Sequence, residues 1–224
     1  MIKAVIFDMF ETLVSLFVGR TYFSENIAED LGVDVNIFRQ LWHATETHRT
    51  IGQYTLEEVL ERTLQVLNVY SADNVDMIMR KRHESLTDTF QAIPPEVTEL
   101  LKALKEKGIA IGLISNCFSD EFAMIQDSTL YPMFDAVKLS YEQGICKPDP
   151  TIFYRVTAEL GVEPDECVYV GDGGNNELLA AKQVGMKPVQ ALWFRNKMTE
   201  PHVPSPVYEE FAHAQTPADV LKFL

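Results

Sequence analysis

Cations, cysteines and long apolar runs are what this sequence has least of. Lys and Arg number 19 against 33 Asp and Glu in 224 residues, a formal net charge of -14. That balance excludes a broad electrostatic grip on nucleic acid or an anionic membrane, since both need clustered cations to displace counterions. A small anionic substrate can still be held in a local cationic pocket. The three cysteines, Cys117, Cys146 and Cys167, are an odd number without close paired spacing, so neither a disulfide framework nor a zinc site is indicated. Reduced, packed thiols are expected. No apolar stretch approaches bilayer length, and the first residues lack the basic, apolar and small-residue order of a signal peptide. A cytoplasmic protein is expected, without a membrane or nucleic-acid partner, as a monomer or homodimer.

What is present has ordinary globular proportions, 46% hydrophobic and 23% charged, in a chain long enough for a large domain or a core with a smaller insert. "AVIF", residues 4–7, is too short for a buried helix and suits a parallel strand covered on both faces. Residues 15–92 then space apolar side chains at three and four, the signature of amphipathic helices. Asn36 and Thr55 are expected to cap helices in this block, and Gly32 to stop one. Pro94 and Pro95 end it. From there helices alternate with short apolar strands: "IAIGLIS", "FDAVKLS", "CVYVGD" and "KPVQALW". The pattern predicts an α/β fold with a doubly wound parallel sheet. Its core comprises residues 1–14 and 93–224, and the all-helical insert of 15–92 stands over the carboxyl edge of the strands as a cap. The proline-rich "TEPHVPSPVYEEF" reads as surface loop.

Polar residues gather where these strands end. The first strand stops at Asp8, with Thr12 four residues on; "IAIGLIS" ends in Ser115, followed by Asn116. "GICKPDP" carries Lys147, and "CVYVGD" ends in Asp172 with Asn175, Asn176 and Glu177 following. Singly, each reads as a turn or cap residue. Together they supply a carboxylate nucleophile, a hydroxyl and a cation to hold an anion, and further carboxylates for a divalent metal. Phosphoryl transfer needs little beyond such positioning and charge neutralisation, and Mg²⁺ prefers oxygen ligands of this kind. The set points to an aspartyl-phosphate enzyme acting on a small anionic metabolite.

"DMFETL", "LISNC", "GICKPDP" and "VGDGGNNE" resemble, in order and spacing, the four motifs of the haloacid dehalogenase superfamily of hydrolases. The resemblance implies that Asp8 is the nucleophile and that Ser115 and Lys147 hold the phosphate or stabilise Asp8. Asp172 would bind Mg²⁺ with Glu177 nearby, and the Phe10 main-chain carbonyl would complete the metal set with Asp8. Thr12 and Asn116 join the substrate-binding positions. The insert resembles the family's small cap, which closes over the substrate.

One position departs. Phosphatases of the family carry a second aspartate two residues after the nucleophile, as acid for the leaving alcohol; here it is Phe10. The haloacid dehalogenases proper have an aromatic residue there and attack carbon without metal. Asp172 weighs against that alternative, because an extra carboxylate without a cation would repel the ionised nucleophile and raise its pKa. The favoured reading is therefore a Mg²⁺-dependent phosphatase. A 2-haloacid dehalogenase is the first alternative, and a non-catalytic binding protein retaining the fold is the second. Glu11 could supply the missing acid, but a solvated loop carboxylate is the plainer expectation. His43, His48 and Arg49 are expected on a solvated helix face, and the Phe, Trp and Met residues of the insert in its core.

Overall fold

The computed structural model describes residues 1–199 and 201–224. The strands β1 (Ala4–Phe7), β2 (Ala110–Ser115), β3 (Ala136–Leu139), β4 (Cys167–Gly171), β5 (Lys187–Ala191) and β6 (Ala212–Ala214) form one parallel sheet in the order β3-β2-β1-β4-β5-β6. β1 is buried along its whole length. Val5 and Phe7 pack into one core with the helix Pro95–Glu106, while Ala4 and Ile6 pack into a second core with Ile152, Phe153 and Val156 on the opposite face. This two-sided covering is why β1 reads as a continuous apolar run. The chain builds outward from β1 through β2 and β3 on one side and through β4, β5 and β6 on the other. The crevice between β1 and β4 is therefore the topological switch point, where open sheets of this kind bind ligands.

The helices of the insert are α1 (Ser24–Leu31), α2 (Val35–Ala44), α3 (Glu46–Thr50), α4 (Leu56–Val66) and α5 (Ala72–Gln91). They carry a core of their own around Ile27, Phe38, Trp42, Leu60 and Ile78. Gly32 ends α1 in the left-handed conformation, and Thr55 begins α4 in a capping box with Glu58, as the sequence suggests. Asn36 does not cap α2: Asp34, two residues earlier, accepts from the backbone N–H groups of Asn36 and Ile37. α2 and α3 are separated at Thr45, whose hydroxyl turns back to the Trp42 carbonyl at 3.0 Å. That bond competes with the helical ladder.

After the insert come α6 (Pro95–Glu106), α7 (Ser119–Asp127), α8 (Ser140–Gln143), α9 (Pro150–Leu160) and α10 (Glu177–Gln183). α8 and β6 are too short to leave a periodic signal in the sequence. The insert meets the core beyond the carboxyl ends of β2 and β3, where α5 packs on α7 and α3 on α8. Arg82 of α5, buried, bridges to Asp120 at 2.6 Å and Glu121 at 3.2 Å of α7, and the Leu56 N–H donates to the Ser119 hydroxyl. Among the described residues, no helix is long and apolar enough to cross a membrane.

Candidate active site

β1 delivers Asp8 to the switch point. The Asp8 N–H is the next rung of the sheet, donating to the Val170 carbonyl at 2.9 Å, so the position of its carboxylate is anchored by strand geometry. Asp8 Oδ1 receives Lys147 Nζ at 2.5 Å, and the same ammonium reaches Glu177 Oε2 at 2.5 Å and the Tyr169 hydroxyl at 3.2 Å. Lys147 is itself clamped through its backbone: its N–H donates to Asn116 Oδ1 at 2.8 Å, and Asn116 Nδ2 donates to its carbonyl at 3.0 Å. The Asn116 side chain thus spans the β2 and Lys147 loops and orients the lysine. Both loops must be in place before the cation is aimed.

Glu177 opens α10 and is buried. Its Oε2 accepts from Tyr169 at 2.7 Å and its Oε1 from the Gly173 N–H at 3.1 Å. Only glycine fits at 171, since a Cβ there would lie 2.0 Å from the Glu177 carboxylate. Asn175 and Asn176 lie just before α10. Both adopt left-handed conformations, with φ of 51° and 56°, which asparagine tolerates, and they turn the chain so that the helix starts at Glu177. Asp172 accepts from the Gly174 N–H at 2.9 Å and from the Ser205 hydroxyl at 3.1 Å.

The nearest oxygens of Asp8, Asp172 and Glu177 lie within 4.8 Å of one another. Burial, reinforced by Glu177 and Asp172, raises the Asp8 carboxyl against the opposing pull of Lys147. Burial and Glu177 push Asp172 up to about 6. Burial alone would lower Lys147, but Asp8 and Glu177 hold its ammonium above the usual range. With all three carboxylates ionised, one ammonium leaves two negative charges uncompensated, the deficit that one divalent cation meets and that raises the Asp8 carboxyl in its absence. The donors are all hard oxygens, which suits Mg²⁺. Glu177 already accepts three hydrogen bonds, from Lys147, Tyr169 and Gly173, against two at Asp172 and one at Asp8, so Asp8 and Asp172 keep more lone pairs that could hold a metal.

Asp8, Phe10, Glu11, Asn116, Lys147, Asp172 and Glu177 line one cavity of about 210 Å³. Ser115 and Thr12 are fully buried beside it and are not on its wall. The Ser115 hydroxyl faces the Asn116 carbonyl at 3.3 Å, and Thr12 Oγ1 has no partner among the described residues. Phe10 stands at the boundary with a larger cavity of about 510 Å³ under the insert, edge-on to Phe90. Glu11 is not the solvated loop carboxylate expected. It is 8% exposed, accepts from the Ser15 hydroxyl and the Leu16 N–H at 2.8 Å each, and is pushed by burial up to about 7. Its φ of 56° is one that glycine adopts without strain; the carboxylate offsets the strain by closing the turn on itself.

Three contributors escaped the sequence reading. Tyr169 could have been found, since a hydroxyl-bearing ring in an otherwise apolar buried strand needs a polar partner. Ser205, from the proline-rich loop, and Gln190, which donates to the Asp172 carbonyl at 2.8 Å, carry no such signal. Cys117 is buried, and burial pushes its thiol up to about 12. It packs in the core, as expected.

A sequence model of the family described as haloacid dehalogenase-like hydrolase matches residues 2–185. The glyceraldehyde 3-phosphate phosphatase of Methanopyrus kandleri is 28% identical over 211 residues, 85% of this chain and 84% of that protein. A 2-haloacid dehalogenase from Pseudomonas syringae pv. tomato shares the fold with a TM-score of 0.69 at 22% identity, over 99% of this chain and 97% of its own. A family enzyme of Bacteroides thetaiotaomicron in complex with magnesium and inorganic phosphate does so with a TM-score of 0.61 at 21% identity, over 85% and 94%.

Proposed function

The chain belongs to the haloacid dehalogenase-like hydrolases, and from that premise we propose that it is a Mg²⁺-dependent phosphatase of a small phosphorylated metabolite, working through an aspartyl-phosphate on Asp8. The observation that carries this reading is the carboxylate cluster of Asp8, Asp172 and Glu177 around a single ammonium. Attack on carbon without metal would leave that excess charge beside the nucleophile. The similarity to phosphatases, among them one named for glyceraldehyde 3-phosphate, supports the same conclusion.

Lys147 holds Asp8 Oδ1, leaving Oδ2 to attack phosphorus. The Oδ2–P bond forms as the bond from phosphorus to the leaving oxygen breaks. Water then attacks the phosphorus of the acyl phosphate, releasing phosphate and regenerating the carboxylate. Lys147 neutralises charge on Asp8 and the phosphoryl oxygens, and Glu177 and Asn116 keep it aimed. Mg²⁺ held by Asp8, the Phe10 carbonyl and Asp172 would draw charge from the phosphoryl oxygens. The helical insert serves as a cap whose underside meets the leaving group.

Removing Asp172 should expose the metal dependence directly. Asp172→Ala is expected to weaken Mg²⁺ binding by about 100-fold or more, read by titration calorimetry; equal affinity in wild type and variant would remove the metal assignment.

Phe10 supplies the functional test. Without an acid two residues after the nucleophile, rates should fall steeply as the leaving group's pKa rises, favouring aryl and acyl phosphates over alkyl phosphates. Phe10→Asp should flatten that slope and speed alkyl phosphates by about 10² to 10⁴, the usual worth of general acid catalysis. A shallow wild-type slope that steepens in Glu11→Gln would hand the acid's role to Glu11. The aromatic Phe10 also favours a second reading, metal-free attack on a 2-haloacid, and haloacid turnover that survives chelation would establish it in place of the first.

A further inference from the structure

A cavity of about 280 Å³ lies between the insert and the core. It shares Leu16, His43, Glu46, Phe118 and Glu121 with the larger cavity that reaches Phe10 and Lys147, so a substrate anchored at Asp8 can extend toward it. Arg39, His43, Arg49, Arg82 and His202 all line its wall. Apart from Arg49, each faces an acid. Arg39 meets Glu25 at 3.2 Å, His43 meets Glu46 at 3.0 Å, and His202 meets Glu25 at 3.5 Å. Arg82 is held by Asp120 and Glu121.

Arg49 is different. The sequence places it on a solvated helix face, yet it is 1% exposed. Its guanidinium carbon sits 4.0 Å from the centre of the Trp42 ring, on the insert, and 4.1 Å from that of Phe118, on the core. Both faces of the cation are covered, so only its edge can hydrogen-bond. One nitrogen, Nη2, donates to the Trp42 carbonyl at 3.0 Å. Nε and Nη1 are buried and have no acceptor among the described residues. Burial lowers Arg49 to about 10, which still leaves it charged at neutral pH. A buried charged donor without an acceptor is costly, and such a group calls for a partner from outside the chain.

We propose that Arg49 is a specificity-determining residue that binds a carboxylate at the far end of the substrate, making the preferred substrates phosphorylated carboxylic acids. The inference rests on the phosphatase reading and adds the substrate class to it. Arg49 has no ion-pair partner among the described residues, and a carboxylate brings it one negative charge; a second phosphoryl group would bring about two against Glu46 and Glu121, which share the wall. The ring sandwich fixes the guanidinium before binding, so the planar anion meets donors that need no reordering.

The test compares ω-phosphooxy carboxylic acids of two to five carbons with the matching ω-phosphooxy alcohols, beginning with 2-phosphoglycolate and 2-hydroxyethyl phosphate, under Mg²⁺. At the best-fitting length the wild type should prefer the acid in kcat/KM by about tenfold or more, the worth of a charged hydrogen bond. Arg49→Met should bring that ratio near one through KM, and Arg49→Lys should restore part of it. A wild type that hydrolyses the alcohols as well as the acids at every length would overturn the subsite while leaving the phosphatase reading intact, and needs no variant to fold. A ratio unmoved in folded Arg49→Met would overturn it too. Failure of every phosphomonoester would instead sink the phosphatase reading, and this inference with it.

Discussion

Asp8→Asn is expected to lose at least about 10⁴-fold in turnover of every substrate, the scale on which removing a covalent nucleophile acts, and to keep its fold. An amide is nearly the same size as the carboxylate and a poor nucleophile. The substitution also removes one of three clustered acids, while Lys147 keeps its contact with Glu177. The anchoring bond from the residue 8 N–H to the Val170 carbonyl belongs to the backbone and survives. Steady-state rates and far-ultraviolet circular dichroism on the same preparation separate chemistry from folding. Acid quenching of wild type during turnover should trap a phosphoryl group on the peptide containing Asp8, and none in the variant. Substantial residual turnover by purified Asp8→Asn would mean that another group attacks.

Lys147→Ala should cost both activity and stability. Its ammonium is the shared partner of Asp8, Glu177 and Tyr169, and it is almost wholly buried. Breaking a buried ion pair by removing one partner leaves uncompensated charge and costs about 3–5 kcal/mol, a fall in Tm on the order of 10 °C for a chain of this size. Glu177 and Asp8 would then face each other and Asp172 with no cation between them. Mg²⁺ should therefore raise Tm more in the variant than in the wild type, because the metal is the remaining source of positive charge. Differential scanning calorimetry with and without Mg²⁺ reads this. A variant as stable as wild type without metal would show that Lys147 does not neutralise the cluster.

The four site segments were legible in the sequence because each depends on a local rule. A buried strand reads as an apolar run, its end is marked by the first polar residue, and parallel strands bring their carboxyl ends to one edge. Asp8, Lys147, Asp172 and Glu177 accordingly converge. The helices between β1 and β2 were legible from their apolar spacing, and Thr55 and Gly32 from their capping chemistry. Local rules failed where two of them compete or where the element is short. Asp34 lies close enough to Asn36 to take the cap, the Thr45 hydroxyl divides an otherwise regular helix, and three residues of β6 carry no period.

What only the tertiary structure decided is how the polar groups are shared out. Asn116, expected at a substrate-binding position, lines the cavity and also clamps Lys147, because the β2 and Lys147 loops meet at the sheet edge. Glu11 looks solvated and is buried, because the turn after Asp8 folds back on its carboxylate. Arg49 looks like a surface charge and is enclosed, because Trp42 from the insert and Phe118 from the core close on it from opposite sides. Composition and spacing determine which chemistry is available at the strand ends, since those depend on neighbours in the chain. Burial and pairing depend on residues distant in sequence, and only packing the insert against the core reveals which charges are met and which are left for a ligand.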